Sequence, residues 1–252
     1  MLFVLRLTTY DLRLNMKIEV CFTPATFESF KNKEAVVAVI DVLRASSAIC
    51  AAFMNGARRL IPVGEVEEAM RFKKEGFLVA AERDGFVLDF ADFGNSPFNF
   101  TPERVRQHTI AYSTTNGTQA IRMANDCHKV TVAAFINITA VCNYLMSFNR
   151  DIILFCAGWK NRFSLEDTIL AGAMTEKILE NNNYTTNCDS ALASLDLWQL
   201  AKPDLLGYIE KAAQRSRLRN NGLDDCLEFC HTFDLTDIVP VFEEGFLVGK
   251  KE

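Results

Sequence analysis

The sequence predicts an α/β fold with three layers, α/β/α, a largely parallel or mixed sheet and a helical layer formed by the C-terminal part of the chain. Short apolar runs alternate with segments of helical periodicity up to about residue 180, as in strands joined by crossover helices. Four of these runs are apolar on both faces, which is expected for a sheet covered by helices on both sides. Beyond Asn183 the pattern becomes mainly helical.

The strands are predicted, in chain order, at 17–22, 35–40, 59–63, 77–81, 108–113, 129–135 and 151–157. The helices between them are expected at 46–57, 65–76, 116–127 and 138–148, and each is long enough to cross back over a sheet. The C-terminal layer is predicted to hold helices at 188–201, 203–216 and 223–233, followed by one strand-like segment at 238–248.

The chain has 252 residues and 49% hydrophobic content, which suits one large domain. We expect this single α/β domain at 16–252 and an N-terminal extension at 1–15, because Met16 opens the first strand pattern. The apolar stretch Met1 to Leu5 is too short for a signal-peptide core or a membrane span.

The charge and cysteine patterns exclude several classes of protein. The net charge is −5 and no dense cluster of Lys and Arg is present, so we expect no nucleic-acid partner, and no membrane partner either. Eight cysteines occur mostly inside apolar runs without a CxxC pair, which favours free thiols in a reducing cytoplasm. Cys226, Cys230 and His231 suggest a metal site only weakly, because no second ligand pair exists.

Polar side chains follow several of the predicted strands, and loops after parallel strands gather where α/β proteins bind ligands. Each loop also has a simpler interpretation, such as a helix cap at Asp41 or a tight turn at 94–97. The residues in question are Asp41, Arg44, Ser46 and Ser47 after one strand, Glu82, Arg83, Asp92, Asn95 and Ser96 after another, 114–118 after a third, and 158–167 after a fourth.

The turn at 114–118 has the sequence TTNGT and precedes a predicted helix. Asn116 and Gly117 permit a conformation in which backbone N–H groups point inward, and the start of the helix adds partial positive charge. An anion such as phosphate would fit there, with Thr115 and Thr118 as further donors. A simple capped helix start is the alternative, since no Lys follows the glycine as it does in a P-loop.

Two interpretations fit the segment 156–167. Cys156 and Arg162 have the C-x5-R spacing of cysteine-dependent phosphatases, in which a thiolate attacks phosphorus and an arginine binds its oxygens. Alternatively, Ser164 caps a helix with Asp167 three residues on, so that Glu166 faces the site and Cys156 is a small buried apolar residue.

Six motifs in this order resemble the ComB family of 2-phosphosulfolactate phosphatases: VIDVLRASSAI, AER, DFGNSP, STTNGT, CAG and FSLED. The resemblance runs from about Val36 to Ala173. It implies a three-layer α/β/α fold, often as a homodimer, and a magnesium-dependent phosphatase on the route to coenzyme M that converts 2-phosphosulfolactate to sulfolactate and phosphate. This chain departs from the family pattern at Asp84-Gly85 and at Phe90-Ala91.

Under this resemblance a small phosphorylated metabolite, with or without a sulfonate, is the expected partner, and Mg²⁺ the cofactor. Hydrolysis of a phosphate ester requires neutralisation of charge on the transferred group. The metal ligands are then expected among Asp41, Glu82, Glu166 and Asp167. The catalytic set is predicted as Asp41, Arg44 and Asp92, with Asp92 placing a water or protonating the leaving oxygen. Substrate contacts are predicted from Ser46, Asn95, Ser96, Thr115, Asn116, Gly117, Thr118 and Arg162.

Two other functions remain open at this point. A cysteine phosphatase would use Cys156 and Arg162, and would be insensitive to chelators. A non-catalytic protein would bind the phosphorylated metabolite without hydrolysing it.

Overall fold

The computed structural model describes residues 15–251, so nearly all of the predicted extension at 1–15 lies outside the described residues. Within 15–251 one mixed sheet has eleven strands, in the order β5-β4-β6-β3-β11-β10-β7-β2-β8-β1-β9. In chain order the strands are β1 Met16–Cys21, β2 Val36–Ile40, β3 Arg59–Val63, β4 Leu78–Arg83, β5 Phe86–Val87, β6 Thr109–Ser113, β7 Lys129–Ala133, β8 Ile152–Cys156, β9 Tyr184–Thr185, β10 Ile238–Glu243 and β11 Phe246–Lys251.

The predicted α/β/α layering is confirmed, because helices cover both faces of the sheet. In β2, Val36, Ala38 and Ile40 face one apolar core, and Val37 and Val39 face the other. In chain order the helices are α1 Phe27–Phe30, α2 Ala45–Met54, α3 Val66–Lys74, α4 Pro102–Val105, α5 Gly117–Met123, α6 Ile138–Ser147, α7 Leu165–Leu179, α8 Asp189–Ala201, α9 Leu205–Ile209, α10 Ala213–Asn220 and α11 Leu227–Cys230.

The sheet consists of two parallel blocks that run in opposite senses. Strands β9, β1, β8, β2 and β7 form one block, and β3, β6 and β4 form the other. The hairpin β10–β11 joins them, since β10 is antiparallel to β7 and β11 is antiparallel to β3. The segment 238–248, predicted as one strand-like element, is therefore two strands with a turn at Glu244 and Gly245, both at positive φ.

Opposite senses would normally place the strand ends of the two blocks at opposite edges of the sheet. The loop after β2 and the start of α5, which follows β6, nevertheless meet, because the Gly117 N–H donates to the Asp41 carboxylate. The polar loops therefore converge although their strands run in opposite senses.

The C-terminal helices form a layer against α7. Gly172 in α7 lies where α8 crosses, and a Cβ atom there would collide with the carbonyl oxygen of Ser194. The predicted helix at 203–216 is two helices, α9 and α10, because the chain leaves helical geometry between Ile209 and Ala213. As a result, α10 lies beside the loop that follows β2, where Gln214 Nε2 donates to the carbonyl oxygen of Leu43 (3.1 Å).

Among the described residues, no helix is both long enough and apolar enough to cross a membrane.

Candidate active site

Asp41 directly follows β2 and is buried, with 8% of its surface exposed. Its N–H donates to Ser46 Oγ (2.8 Å), and the Ser46 N–H donates to the Asp41 carbonyl oxygen (2.8 Å). The Asp41 carboxylate accepts hydrogen bonds from the N–H groups of Ala45 (3.4 Å) and Gly117. Ser46, predicted to bind substrate, is itself buried and instead fixes the backbone that presents Asp41.

Glu82 lies near the end of β4 with 3% of its surface exposed. One carboxylate oxygen accepts from the Gly85 N–H (2.6 Å), and the other from the N–H and the hydroxyl of Thr115 (2.8 and 3.1 Å). Three donors from two loops therefore orient this carboxylate, which fixes its position relative to the start of α5.

The first turn of α7 carries two buried carboxylates. Ser164 caps the helix by accepting the Asp167 N–H (3.4 Å), which confirms the capping arrangement predicted from the sequence. The Asp167 carboxylate accepts from the N–H groups of Val42 (2.9 Å) and Gly158 (3.1 Å). Asp167 therefore ties the loops after β2 and β8 together, and Glu166 is also buried, with 3% of its surface exposed.

Burial makes these carboxyl groups weaker acids than usual, because it disfavours their charged form. Burial, together with repulsion from Glu82 and Glu166, raises the pKa of Asp41 from 3.8 to about 7. Burial also raises the pKa of Glu166, and burial followed by the charges of Glu166 and Asp41 raises the pKa of Asp167 well above its usual range. Like charges that are buried close together favour uptake of a proton or of a cation. The group of Asp41, Glu166 and Asp167 would therefore be stabilised by a positive ion nearby.

Arg44 supplies positive charge at the same place. It directly precedes α2 and follows a cis peptide bond from Leu43, and only 3% of its surface is exposed. Its guanidinium donates to the carbonyl oxygens of Leu223 (3.2 Å) and Gly85 (3.3 Å). Among residues 15–251 it forms no ion pair, so its charge remains available to an anionic ligand.

These groups surround a cavity of about 20 Å³, which has room for about one water molecule. Asn95, with 8% of its surface exposed, lines the cavity, and its Oδ1 is buried without a hydrogen-bond partner, as is Oγ of the adjacent Ser96. Unpaired buried polar atoms are costly, so both atoms are suited to a ligand. The full lining is Asp41, Leu43, Arg44, Glu82, Gly85, Asn95, Asn116, Trp159, Gln214 and Leu218.

The turn at 114–118 does not present a free phosphate cradle. The Thr115 and Gly117 N–H groups face Glu82 and Asp41, so the anions beside this turn are the protein's own carboxylates. The hydroxyls of Thr114 and Thr118 bond within the turn, and Asn116 Oδ1 accepts the Lys160 N–H (2.9 Å). The N–H groups of Thr115 and Gly117 therefore face carboxylates, and substrate contact by Thr115, Gly117 and Thr118 stays a prediction.

Asp92 and Arg162 lie outside the cavity. Asp92 forms an ion pair with Lys73 (2.5 Å) and accepts the Val79 N–H (2.8 Å), and these contacts hold its pKa below the usual value. A low-pKa carboxylate at the far end of β4 is poorly suited to the acid role predicted for Asp92. Arg162 is exposed, and its backbone pairs with Trp159.

Cys156 is unsuited to nucleophilic attack. It is fully buried at the end of β8, and burial and the charge of Asp167 raise the pKa of its thiol well above the usual value. A reactive cysteine requires a lowered pKa and access to substrate. The structure therefore does not support the cysteine phosphatase.

Five residues that line the cavity were not named individually as site residues from the sequence: Leu43, Gly85, Trp159, Gln214 and Leu218. Gln214 and Leu218 reach the cavity from α10, and Trp159 reaches it from the loop after β8. Gln214 and Leu218 lie four residues apart on one helical face, but the predicted helix ended at 216, so no local signal pointed to this contact.

Within residues 15–251, no three His, Cys, Asp or Glu side chains are arranged as a metal-binding group. Cys226, Cys230 and His231 are among the side chains to which this applies. Mg²⁺ can also be held by only one or two carboxylates, with water and substrate as its other ligands. Such a site does not require three protein ligands.

The family match and the similar proteins all point to the same family. The family described as 2-phosphosulpholactate phosphatase matches residues 21–245, which extends beyond the segment that carries the sequence motifs. A relative from Thermotoga maritima is 38% identical over 213 residues, covering 84% of this chain and 91% of the relative. One from Caldanaerobacter subterraneus subsp. tengcongensis is 35% identical over 232 residues, covering 88% and 96%. A third, from Clostridium novyi, is 34% identical over 230 residues, covering 90% and 97%.

All three relatives bear the name "Probable 2-phosphosulfolactate phosphatase". With the family match over most of the chain and the buried carboxylate and arginine cavity described above, the conclusion is that this chain belongs to the 2-phosphosulpholactate phosphatase family of phosphoric monoester hydrolases.

Proposed function

We propose that this protein hydrolyses 2-phosphosulfolactate to sulfolactate and phosphate in the presence of Mg²⁺. The observation that carries the proposal is the juxtaposition of Asp41, Glu82 and Arg44 around one buried cavity. A phosphate ester needs positive charge on its oxygens during transfer, and this cavity offers one buried guanidinium and two carboxylates able to hold a cation. The names of the relatives supply the substrate.

Asp41 and Glu82 are the proposed magnesium ligands, because they are the two carboxylates that line the cavity. Mg²⁺ prefers oxygen ligands and is commonly held by one or two carboxylates, with water and substrate phosphate completing its shell. When bound, it would withdraw charge from the phosphoryl group. Asp41, with a pKa of about 7, must be deprotonated to act as a ligand, so we expect metal affinity to rise with pH through neutrality.

The remaining cavity residues bind and orient the substrate. Arg44 has no carboxylate partner among residues 15–251 and would contact the phosphoryl oxygens. Asn95 and the adjacent Ser96 carry the unpaired buried oxygens, and a substrate hydroxyl, phosphoryl or carboxyl group would satisfy them. Asp167 and Ser46 act indirectly by fixing the loops that present Asp41 and Arg44.

The experiment measures phosphate release from 2-phosphosulfolactate and from an aryl phosphate, with Mg²⁺, with EDTA, and after thiol alkylation. We expect EDTA to abolish turnover, restored Mg²⁺ to recover it and alkylation to leave it intact. Asp41→Asn should lower kcat/KM by at least about 100-fold, which corresponds to about 3 kcal/mol of transition-state stabilisation.

Asp92→Asn is the matched control, because Asp92 is an aspartate that lies outside the cavity, beside the start of β4. It should keep kcat/KM within about threefold of the unmodified protein. Turnover that survives EDTA would contradict the role of magnesium. Saturable binding of the phosphate ester without any turnover would instead support a protein that binds but does not hydrolyse.

We also propose a cytoplasmic homodimer acting on the route to coenzyme M. The eight free cysteines, all within residues 15–251, fit a reducing compartment. Size-exclusion chromatography with light scattering tests the homodimer, and gene context tests the pathway.

A further inference from the structure

Helix α10 places a second arginine beside the cavity. Gln214, Arg217 and Leu218 share one face of α10 through three- and four-residue spacing, and Gln214 and Leu218 line the cavity itself. Arg217 lies at its rim: its guanidinium carbon is 4.5 Å from the centre of the Trp159 ring, and Trp159 is another lining residue.

Arg217 is held in place without being neutralised. Its Nε donates to Gln214 Oε1 (2.7 Å), and Gln214 is fixed in turn by the Leu43 carbonyl oxygen (3.1 Å). The two terminal nitrogens of Arg217 have no hydrogen-bond or ion-pair partner within 15–251. A guanidinium held over an aromatic ring with free terminal N–H groups is preorganised for a planar or tetrahedral anion.

Neighbouring arginines of the same helix behave differently. Arg215 is paired with both Glu210 (2.9 Å) and Asp224 (2.6 Å), and Arg219 is paired with Glu210. Those contacts account for Arg215 and Arg219 as stabilising residues of the C-terminal layer. Arg217 alone of the three faces the cavity side with its charge available.

We propose that Arg217 binds the second acidic group of the substrate, a sulfonate or a carboxylate, and so makes the enzyme selective for phosphate esters that carry such a group. This inference rests on the proposed phosphatase function. Arg44 lines the cavity and would take the phosphoryl group, whereas Arg217 lies at the rim, where the rest of a small substrate extends. Two separated guanidinium groups thus match a molecule with two separated anionic ends.

The charge of Arg217 also acts on Glu166: burial raises the pKa of this carboxyl group, and Arg217 partly offsets that rise. A residue that served only as a counterion to Glu166 would support turnover of every substrate equally. Selectivity among substrates therefore separates the two roles.

The test compares Arg217→Gln with the unmodified protein on three esters: 2-phosphosulfolactate, 2-sulfoethyl phosphate and 2-phospholactate. An aryl phosphate without a second acidic group is the reference substrate. We expect Arg217→Gln to lower kcat/KM for the first ester by about 10- to 100-fold, mainly through KM, and for the reference by less than about threefold. The two singly substituted esters show whether the sulfonate or the carboxylate is the group bound.

Arg217→Lys should recover part of the loss, because an ammonium keeps the charge but not the bidentate geometry. Arg219→Gln is the matched control from the same helix and should leave all four rates unchanged. Equal losses on all substrates, or no loss on any, would overturn the inference.

A failure of the phosphatase proposal can be distinguished from a failure of the role proposed for Arg217. If the unmodified protein hydrolyses none of the esters, the phosphatase proposal fails, and calorimetric binding of sulfolactate still tests Arg217. There we expect binding about 10-fold weaker in Arg217→Gln. Equal affinity in both proteins would refute the role of Arg217 independently of turnover.

Discussion

Replacing Gly117 with alanine should displace Asp41 without removing any functional group. A Cβ atom on Gly117 would lie 2.9 Å from Asp41 Oδ2 and 2.9 Å from the Cβ of Ala45. These distances are about 0.6 Å short of the roughly 3.5 Å at which nonbonded carbon atoms make favourable contact. Ala45 belongs to the buried α2, so the Asp41 carboxylate is the group that must move.

The displacement sets the expected size of the effect. Overpacking of this kind costs about 1–3 kcal/mol of stability, or roughly 2–12 °C in Tm for a protein of this length. A shift of the reacting groups by a large fraction of an ångström lowers activity by about 10- to 100-fold. We therefore expect Gly117→Ala to remain folded, with kcat/KM reduced by that factor and a higher Mg²⁺ concentration needed for half-maximal rate.

The assay is phosphate release against Mg²⁺ concentration, with thermal unfolding measured on the same preparation. Gly64→Ala is the matched control: its added Cβ would approach Arg122 Nη1 at 2.8 Å, but that side chain is half exposed and can move away. It should leave the rate unchanged. Full activity in folded Gly117→Ala would refute the reasoning that Gly117 is required to position Asp41.

Three further predictions concern single side chains. Glu82→Gln should reduce kcat/KM at saturating Mg²⁺ by at least about 100-fold, because the new amide N–H₂ would face the N–H donors of Thr115 and Gly85. Rates measured across a Mg²⁺ titration check this, and a normal rate would contradict it. Cys156→Ala should keep kcat/KM within about threefold of the unmodified protein. A folded variant without activity would support the cysteine mechanism instead. Burial lowers the pKa of His231 from 6.5 to about 4, so the folded state disfavours its protonation and stability falls as the pH drops below about 6.5. The free energy of unfolding should fall by about 2 kcal/mol between pH 7 and pH 5 for this reason. Urea unfolding at both pH values should show a fall smaller by that amount in His231→Gln. Equal falls in the two proteins would exclude the effect.

The fold was predictable because both faces of the central strands are buried. An uninterrupted apolar run such as that around Val37 indicates a covered strand, and the strands from 17 to 157 were confirmed at nearly their predicted bounds. The hairpin at 238–251 was not predictable in the same way. Its turn at Glu244 and Gly245 is a local signal that was missed, but its insertion between β7 and β3 depends on pairings across more than 100 residues.

The composition of the site was easier to predict than its contacts. Residues such as Asp41, Arg44, Glu82 and Asn95 follow strands, and the structure brings all four to one cavity. Which anion faces the turn at 114–118 could not be read from the sequence, because a carboxylate and a phosphate satisfy the same N–H groups. Gln214 was not predictable either, since its position depends on how the C-terminal layer packs against the loop after β2.

The hairpin β10–β11 has a consequence for how the protein reaches its native state. Asp41 and Glu82 belong to blocks of the sheet that contact each other through these two strands, which come last in chain order. Pairing of such distant segments is slow because loop closure precedes any gain from contact. During folding, the loops that carry Asp41 and Glu82 would therefore reach their final arrangement only once this hairpin has inserted between the two blocks.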